Sequence, residues 1–374
     1  MSQLTDEQEL TRTLVRKFAE AEIKPIAAEI DRDHRFPRES LPKLAEHGLM
    51  GMPFPERWGG AGTDHVSYAI AIEELARVCA TTAVIVESHV SLATWPIFHF
   101  GTEAQRERYL PGLTSGRTLG AFALTEPGAG TDAGSVQTTA FKDGDGYSLN
   151  GSKVFITGGG YADVFVVFAR TPPTGVSAFV VERATEGFTV GEGEDKLGIR
   201  GSSTPPLFFN DLWVPQDALL GQVGDGLRIA LATLDGGRVG IAAQAVGIAQ
   251  GALEASVEYA KERRQFGKPI SAFQAIQWMV ADMATDVEAA RQLTYRAAGL
   301  QDAGEPFGVA AAQAKLFAAQ AATRVASQAI QIHGGNGYTV AYPVERAYRD
   351  ARITEIYEGT NEVQRMVIAK SLLR

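Results

Sequence analysis

The chain has 374 residues, 45% hydrophobic and 21% charged, which suits a soluble globular protein of two or three domains with a sizeable core. A formal net charge of -9 gives no support for a phosphate-reading basic face, and the single cysteine, Cys79, excludes an internal disulfide and a cysteine-based zinc site. No apolar run approaches the ~18 residues of a membrane span, and the charged first ten residues lack a secretory h-region, so a cytoplasmic protein without membrane insertion is expected.

Thr5 and Gln8 stand at capping-box spacing and are followed by Leu10, Leu14, Phe18 and Ala21 on one face, which predicts a helix until Pro25 interrupts it. Further helices are expected near 40–47, 64–79, 82–99 and 102–110, the last started by Thr102 with Gln105; Cys79 reads as a packing residue. From residue 119 the texture changes to short β-branched and aromatic runs at 119–124, 136–141, 147–157, 164–169, 176–181 and 207–209, separated by turns such as Asp143-Gly144-Asp145-Gly146. Strands at this spacing without intervening helices imply a small antiparallel barrel or sandwich. After Pro215 and the glycines at 221–226 the pattern is helical again, with helices at 226–262, 272–301, 306–333 and 361–373, and Leu231, Leu234, Ile241, Val246, Ile248 and Leu253 as packing positions of the first. The fold expected is multidomain α and β: an N-terminal α-helical domain over 1–118, a middle antiparallel β-barrel or sandwich over 119–220, and a C-terminal four-helix bundle over 221–374.

Four stretches carry residues suited to chemistry. Glu358 precedes Gly359 and then Thr360 and Asn361, either of which can cap the last helix. Such a carboxylate can be a general base if apolar groups raise its pKa, or simply an acid favoured by the helix dipole. The small residues of 124–132 let backbone N–H groups approach a ligand, or form an ordinary turn; neither a Walker nor a Rossmann pattern fits. Lys261 to Gly267 closes the long helix with cations that suit either the dipole or a pyrophosphate. Gln331 to Tyr338 ends a helix in glycines; its His333 has no metal partner at suitable spacing and reads as capping or packing, and the remaining histidines form no metal pattern.

In this order, these stretches, with Lys153 to Thr157 and Glu194 to Ser202, resemble the acyl-CoA dehydrogenase family along the whole chain. The wording of 194–202 and 349–364 is most similar to the short-chain, butyryl-CoA branch. The resemblance implies FAD between the middle and last domains and Glu358 as the catalytic base. It places Leu124, Thr125 and Thr131 on the loop lining flavin and substrate, and Phe155 and Thr157 beside the isoalloxazine ring. Arg263, Phe266, Gln274, Gln331 and Gly335 match positions that bind FAD from a neighbouring subunit, which implies a homotetramer built as a dimer of dimers; Thr360 and Glu362 match FAD contacts after the base. Asp235, Arg238, Tyr357 and Gly359, with Thr131, fall on the substrate side. One subgroup, including the isovaleryl branch, carries its base immediately before the arginine matching Arg238; here that residue is Gly237, which leaves Glu358. Phe155 stands where many members have Trp, and Thr131 where Ser is frequent. The implied reaction is oxidation of a short- to medium-chain or short branched acyl-CoA to the trans-2-enoyl-CoA in fatty-acid β-oxidation, with electrons passed to an electron-transfer flavoprotein. An acyl-CoA oxidase, a non-catalytic acyl-CoA-binding protein and a purely structural helical protein are the alternatives. The helix at 82–99, with Val84, Ser88, Trp95 and Phe98, is expected to line the acyl end of the pocket.

Overall fold

The computed structural model describes residues 4–373. Helix α1 (Asp6–Phe18) starts on the expected capping box, Gln8 N donating to Thr5 Oγ1 at 3.2 Å and Thr5 N to Gln8 Oε1 at 3.1 Å. Pro25 does not stop the chain. A π-helical turn over Ala19–Ile23 leads directly into α2 (Lys24–Arg32), which takes Pro25 in its first turn. A proline ring clashes with the carbonyl four residues back and offers it no donor; a wider turn relieves both conflicts, so the helix direction persists. After α3 (Ser40–Glu46) and α4 (His65–Val78), the device recurs: α5 (Ala80–Glu87) opens into a π turn over Ser88–Thr94 and resumes as α6 (Trp95–Phe100), with Pro96 in its first turn. Cys79 is the buried extended residue between α4 and α5, its Sγ accepting from Thr82 Oγ1 at 3.3 Å. Helix α7 (Glu103–Thr114) begins on the second capping box, Thr102 with Gln105.

The middle region is a β domain of strands β1 (Gly120–Ala123), β2 (Thr139–Asp143), β3 (Gly146–Lys153), β4 (Val164–Thr171), β5 (Gly175–Glu182), β6 (Phe188–Val190), β7 (Leu207–Pro215) and β8 (Leu219–Leu220). The sheet is mostly antiparallel, as expected, with a correction at β4, which pairs in parallel with β1, Gly120 opposite Val164, and with the first residue of β2, Thr139 opposite Arg170. The path β6-β7-β3-β2-β4-β5-β8 shows no pairing of β6 with β8 among the described residues. Strand β4 is an inner one, and its Val164 to Ala169 are all buried. Phe165, Val167 and Ala169 face a cluster within the β domain, while Val164, Val166 and Phe168 face Ile97, Leu110 and Ile229 of the helices. A strand covered on both faces reads as a continuous apolar run.

The third region holds α8 (Gly226–Glu262), the two-residue strands β9 (Arg264–Gln265) and β10 (Lys268–Pro269), α9 (Gln274–Asp302), α10 (Gly308–His333), α11 (Pro343–Ile353) and α12 (Asn361–Leu372). Short connections join the end of α8 to the start of α9 and the end of α9 to the start of α10, and with the pairs Gln250–Arg291 and Asp286–Arg324 between their middles they make α9 antiparallel to both α8 and α10, which therefore run parallel. Both α11 and α12 pack against α10. Helix α4 lies along α8 at close range because Gly247 and Gly251 face the carbonyls of Glu73 and Arg77, where any Cβ would collide. One hydrophobic cluster consequently runs from Val15 and Phe18 through α4 and α8 to Ala351. Leu231, expected among the packing positions, is instead exposed.

Candidate active site

The turn between α11 and α12 places Glu358 and Gly359 in succession at φ +52° and +88°. For glycine this costs little; for a glutamate the left-handed region is disfavoured by ~1–2 kcal/mol, so the surroundings must hold it. They do so through the carbonyls: Lys315 Nζ donates to Gly359 O at 2.7 Å, and Gln364 Nε2 donates to Gly359 O at 2.8 Å and Glu358 O at 3.4 Å. Thr360, not Asn361, caps α12, its Oγ1 accepting from Val363 N.

The consequence is a side chain aimed at α8. Glu358 is partly exposed as a residue, yet its Oε2 is sealed from solvent and has no hydrogen-bond partner. It occupies a notch at Gly237, where a Cβ would collide with Glu358 Oε2 and lie 2.8 Å from Leu92 Cδ2. One turn on, a Cβ at Gly240 would lie 2.6 Å from Glu87 Cγ and Oε1. Two glycines on one face of α8 thus receive two carboxyl groups, one from the turn between α11 and α12 and one from α5. Glu87 is completely buried, its carboxyl bonded to the Ser91 hydroxyl and its Oε2 unpartnered. The π turn at Ser88–Thr94 brings Ser91 and Leu92 to this point, in keeping with the frequent occurrence of such turns at functional sites.

Burial raises the Glu358 pKa to about 7, against the opposing pull of Glu87, Lys315 and Arg238. Burial, reinforced by Glu358, pushes Glu87 well above the carboxylate range, so Glu87 holds its proton. Lys315 is fully buried and its pKa is lowered by burial to about 7, with Glu358 restoring part of the loss. Arg238 pairs with Asp235 at 2.6 Å and keeps a buried Nε without a partner. Asp235 faces the first residue of α10, where a Cβ on Gly308 would lie 2.8 Å from its Oδ2. Tyr357 OH bonds Gln244 Oε1, and Gln244 in turn donates to Ala80 O at 2.9 Å.

The structure therefore gathers Asp235, Arg238, Tyr357, Glu358 and Gly359 around one end of α8. A second set lies on the β domain. Lys153 Nζ donates to Leu124 O at 3.1 Å and pairs with Glu126 Oε1 at 2.7 Å, and Val154 N donates to Thr125 O at 2.9 Å, which locks the 124–131 loop to the 153–157 segment. Phe155, at φ +59°, presents 62% of its surface beside Leu124 and the half-buried Thr125 and Thr157; Thr131 is exposed. An open aromatic face flanked by hydroxyls fits a flat heteroaromatic ring system. The stretch 194–202 docks on α11, Ile199 N donating to Asp350 Oδ1 at 2.5 Å and Arg349 Nη1 to Leu197 O at 3.2 Å, while Arg349 also pairs with Asp31 of α2.

A third set is remote. Arg263, Phe266 and Gln274 are exposed at the far tip of α8, Phe266 to 93%, and Gln331 and Gly335 are exposed at the matching end of α10. His333 packs there as expected, stacked on Tyr259 at 4.2 Å. From Gly237 to Arg263 a helix rises ~39 Å, too far for one dinucleotide to join both groups within a chain. Glu362 is exposed and pairs with Arg365. Sequence reasoning did not find Glu87, Lys315, Ser91 or Gln244. Glu87 and Lys315 each interrupt an apolar helical run, and that was their available signal.

Three family models match in chain order: the acyl-CoA dehydrogenase N-terminal domain over residues 5–117, the middle domain over 121–212 and the C-terminal domain over 224–373. The chain belongs to the acyl-CoA dehydrogenase family, whose cofactor is FAD. Within it, the chain is 54% identical to the short-chain specific acyl-CoA dehydrogenase of Clostridium acetobutylicum, covering 99% of both chains. It superposes on butyryl-CoA dehydrogenase from Megasphaera elsdenii with TM-score 0.98 at 49% identity, covering 100% of each chain. A chain from a structure described as the electron transferring flavoprotein of Acidaminococcus fermentans matches with TM-score 0.99 at 50% identity, again over 100% of each.

Proposed function

We propose that this chain removes the α-proton and β-hydrogen of a short-chain acyl-CoA thioester to give the trans-2-enoyl-CoA, with Glu358 as the base, and passes the electrons to an electron-transfer flavoprotein. The observation that carries the reading is the Glu358 carboxyl sealed in the Gly237 notch with its pKa raised to about 7. A thioester α-proton is weakly acidic, so its abstraction needs a desolvated carboxylate whose proton affinity approaches the working pH. Glu87, protonated beside it, limits this pair of carboxyl groups to one negative charge. Asp235, Arg238, Tyr357 and Gly359 are assigned to the substrate side, Thr131 to the mouth of the site, and Leu124, Thr125, Phe155 and Thr157 to the flavin ring. FAD, when bound there, supplies the acceptor for the β-hydrogen. Thr360 and Glu362 are assigned to FAD contacts at the start of α12, and Arg263, Phe266, Gln274, Gln331 and Gly335 to a neighbouring subunit's FAD, in a homotetramer. Regions 1–118, 119–220 and 221–374 are proposed as the domain divisions, and the cytoplasm as the location.

Glu358→Gln tests the assignment: FAD and butyryl-CoA binding remain while turnover falls ~10²–10⁴-fold, the usual contribution of a positioned base. Near-normal turnover would remove Glu358 from the mechanism. Reduction of an electron-transfer flavoprotein without rapid peroxide formation separates the dehydrogenase from an oxidase.

A further inference from the structure

We propose that Lys315 is the positioning residue of the base: it clamps the left-handed Glu358–Gly359 turn through the Gly359 carbonyl and supplies the buried positive charge that lets the Glu358 carboxylate form. The inference rests on the reading of Glu358 as base. Its first ground is the environment of the lysine. Lys315 is fully buried on α10 among Ala311, Ala314, Ala318 and Ala319, small residues that leave room for its chain, and its Nζ reaches the Gly359 carbonyl at 2.7 Å. Among the described residues no carboxylate lies within ion-pair distance of it. A lysine buried without an ion pair is costly and is retained only where something compensates it.

The second ground is the balance of charge. Lys315 faces Glu358 and Glu355 from the turn after α11, Glu362 from α12 and Arg238 from α8. Glu358 itself faces Glu87 from α5, Lys315 and Arg238, and acts in turn on Tyr68 and Tyr357. Of these, Glu87 holds its proton and Arg238 is engaged by Asp235. Lys315 is left as the unpaired cation available to the base. The third ground is mechanical: a glutamate at φ +52° keeps that conformation only while both following carbonyls are held, and Lys315 and Gln364 are the side-chain donors that hold them.

The test uses the FAD-loaded enzyme and Lys315→Met, with Lys315→Gln as a second variant that keeps a donor without the charge. The readouts are bound FAD, melting temperature and the pH profile for exchange of butyryl-CoA α-hydrogen into D2O. Removing the cation destabilises the carboxylate, so Lys315→Met keeps its FAD, exchanges at least tenfold more slowly at neutral pH, and moves the midpoint of the profile upward by about one pH unit. Lys315→Gln shares the midpoint shift. An unchanged profile in Lys315→Met overturns the proposal, and so does failure of both variants to fold and bind FAD, which makes the lysine merely structural. Glu358→Gln run alongside separates the premise: wild-type exchange in that variant sinks the base assignment, whereas its loss with no effect in Lys315→Met sinks only the role of Lys315.

Discussion

Gly237 shows how a single missing atom defines the site. In the sequence it was only the position where another branch of the family keeps its base; in the structure it is the hollow that the Glu358 carboxyl fills. Gly237→Ala is expected to push Glu358 aside and lower turnover ~10²-fold while FAD stays bound, since a displacement of ~1 Å at a reacting group costs about that much. Steady-state rates with flavin absorbance check it. The same carboxyl sets a pH dependence: only its ionised form accepts a proton, and burial raises its pKa to about 7, so kcat/KM with butyryl-CoA should rise with pH through about 7 and level off above. A profile already flat from pH 5 contradicts this. Glu358 and Gly237 were legible because motif order singled them out. Glu87 and Lys315 were not, since whether an ionisable residue in an apolar run is buried at a site depends on which helices cross there.

At the scale of elements, local signals were legible where they act over three or four residues. Both capping boxes and the long α8 occur as read. Pro25 was misread because a proline forbids only an α turn, and a π turn ahead of it lets the helix go on. The parallel pairing of β1 with β4 joins strands some 40 residues apart, a relation that no turn signal reports. Helix α11 was not foreseen, being short and burying only Val344, Asp350 and Ala351. The π turn that follows α5 also carries a pH liability. His89 within it is fully buried, Nε2 donating to Leu113 O at 2.9 Å and Nδ1 accepting from Gly120 N at 3.0 Å, and burial lowers its pKa to about 4. The folded pKa lies below the unfolded value of ~6.5, so stability is complete above that pH and is lost as pH falls toward 4, by on the order of 3 kcal/mol. Denaturant titrations at pH 7 and pH 4.5, with His89→Gln as comparison, should show that loss shrinking in the variant.

For the whole molecule, the helices that flank the β domain in sequence are one body in space. Glu73 on α4, only 2% exposed, accepts from Tyr295 OH at 2.6 Å and pairs with Arg291 at 2.9 Å, both on α9, and Arg12 on α1 donates to the same Tyr295 hydroxyl at 3.1 Å. Glu73→Ala leaves the Tyr295 hydroxyl without its acceptor and takes the buried carboxylate from Arg291, which keeps Glu288 and Gln250, so a loss of ~1–3 kcal/mol is expected. Because a single core links these helices, calorimetry should show the first and last thirds melting together at the lowered temperature. The order of α, β and α regions was plain from texture along the chain. That the outer two share a core was not, because glycines at 247 and 251 reveal their partner only once α4 lies against them.

Helix α8 is a rod with the carboxylate notch near one end and the exposed Arg263–Phe266 tip at the other. A fault at each end can therefore be carried by different copies of the chain. In a two-fold assembly whose tips serve the neighbour's flavin, Glu358→Gln and Phe266→Asp protomers, each inactive alone, combine so that a mixed pair holds one doubly damaged centre and one wholly intact centre. Random reassembly of equal amounts should restore roughly a quarter of the centres, whereas a tip that serves its own chain would restore none.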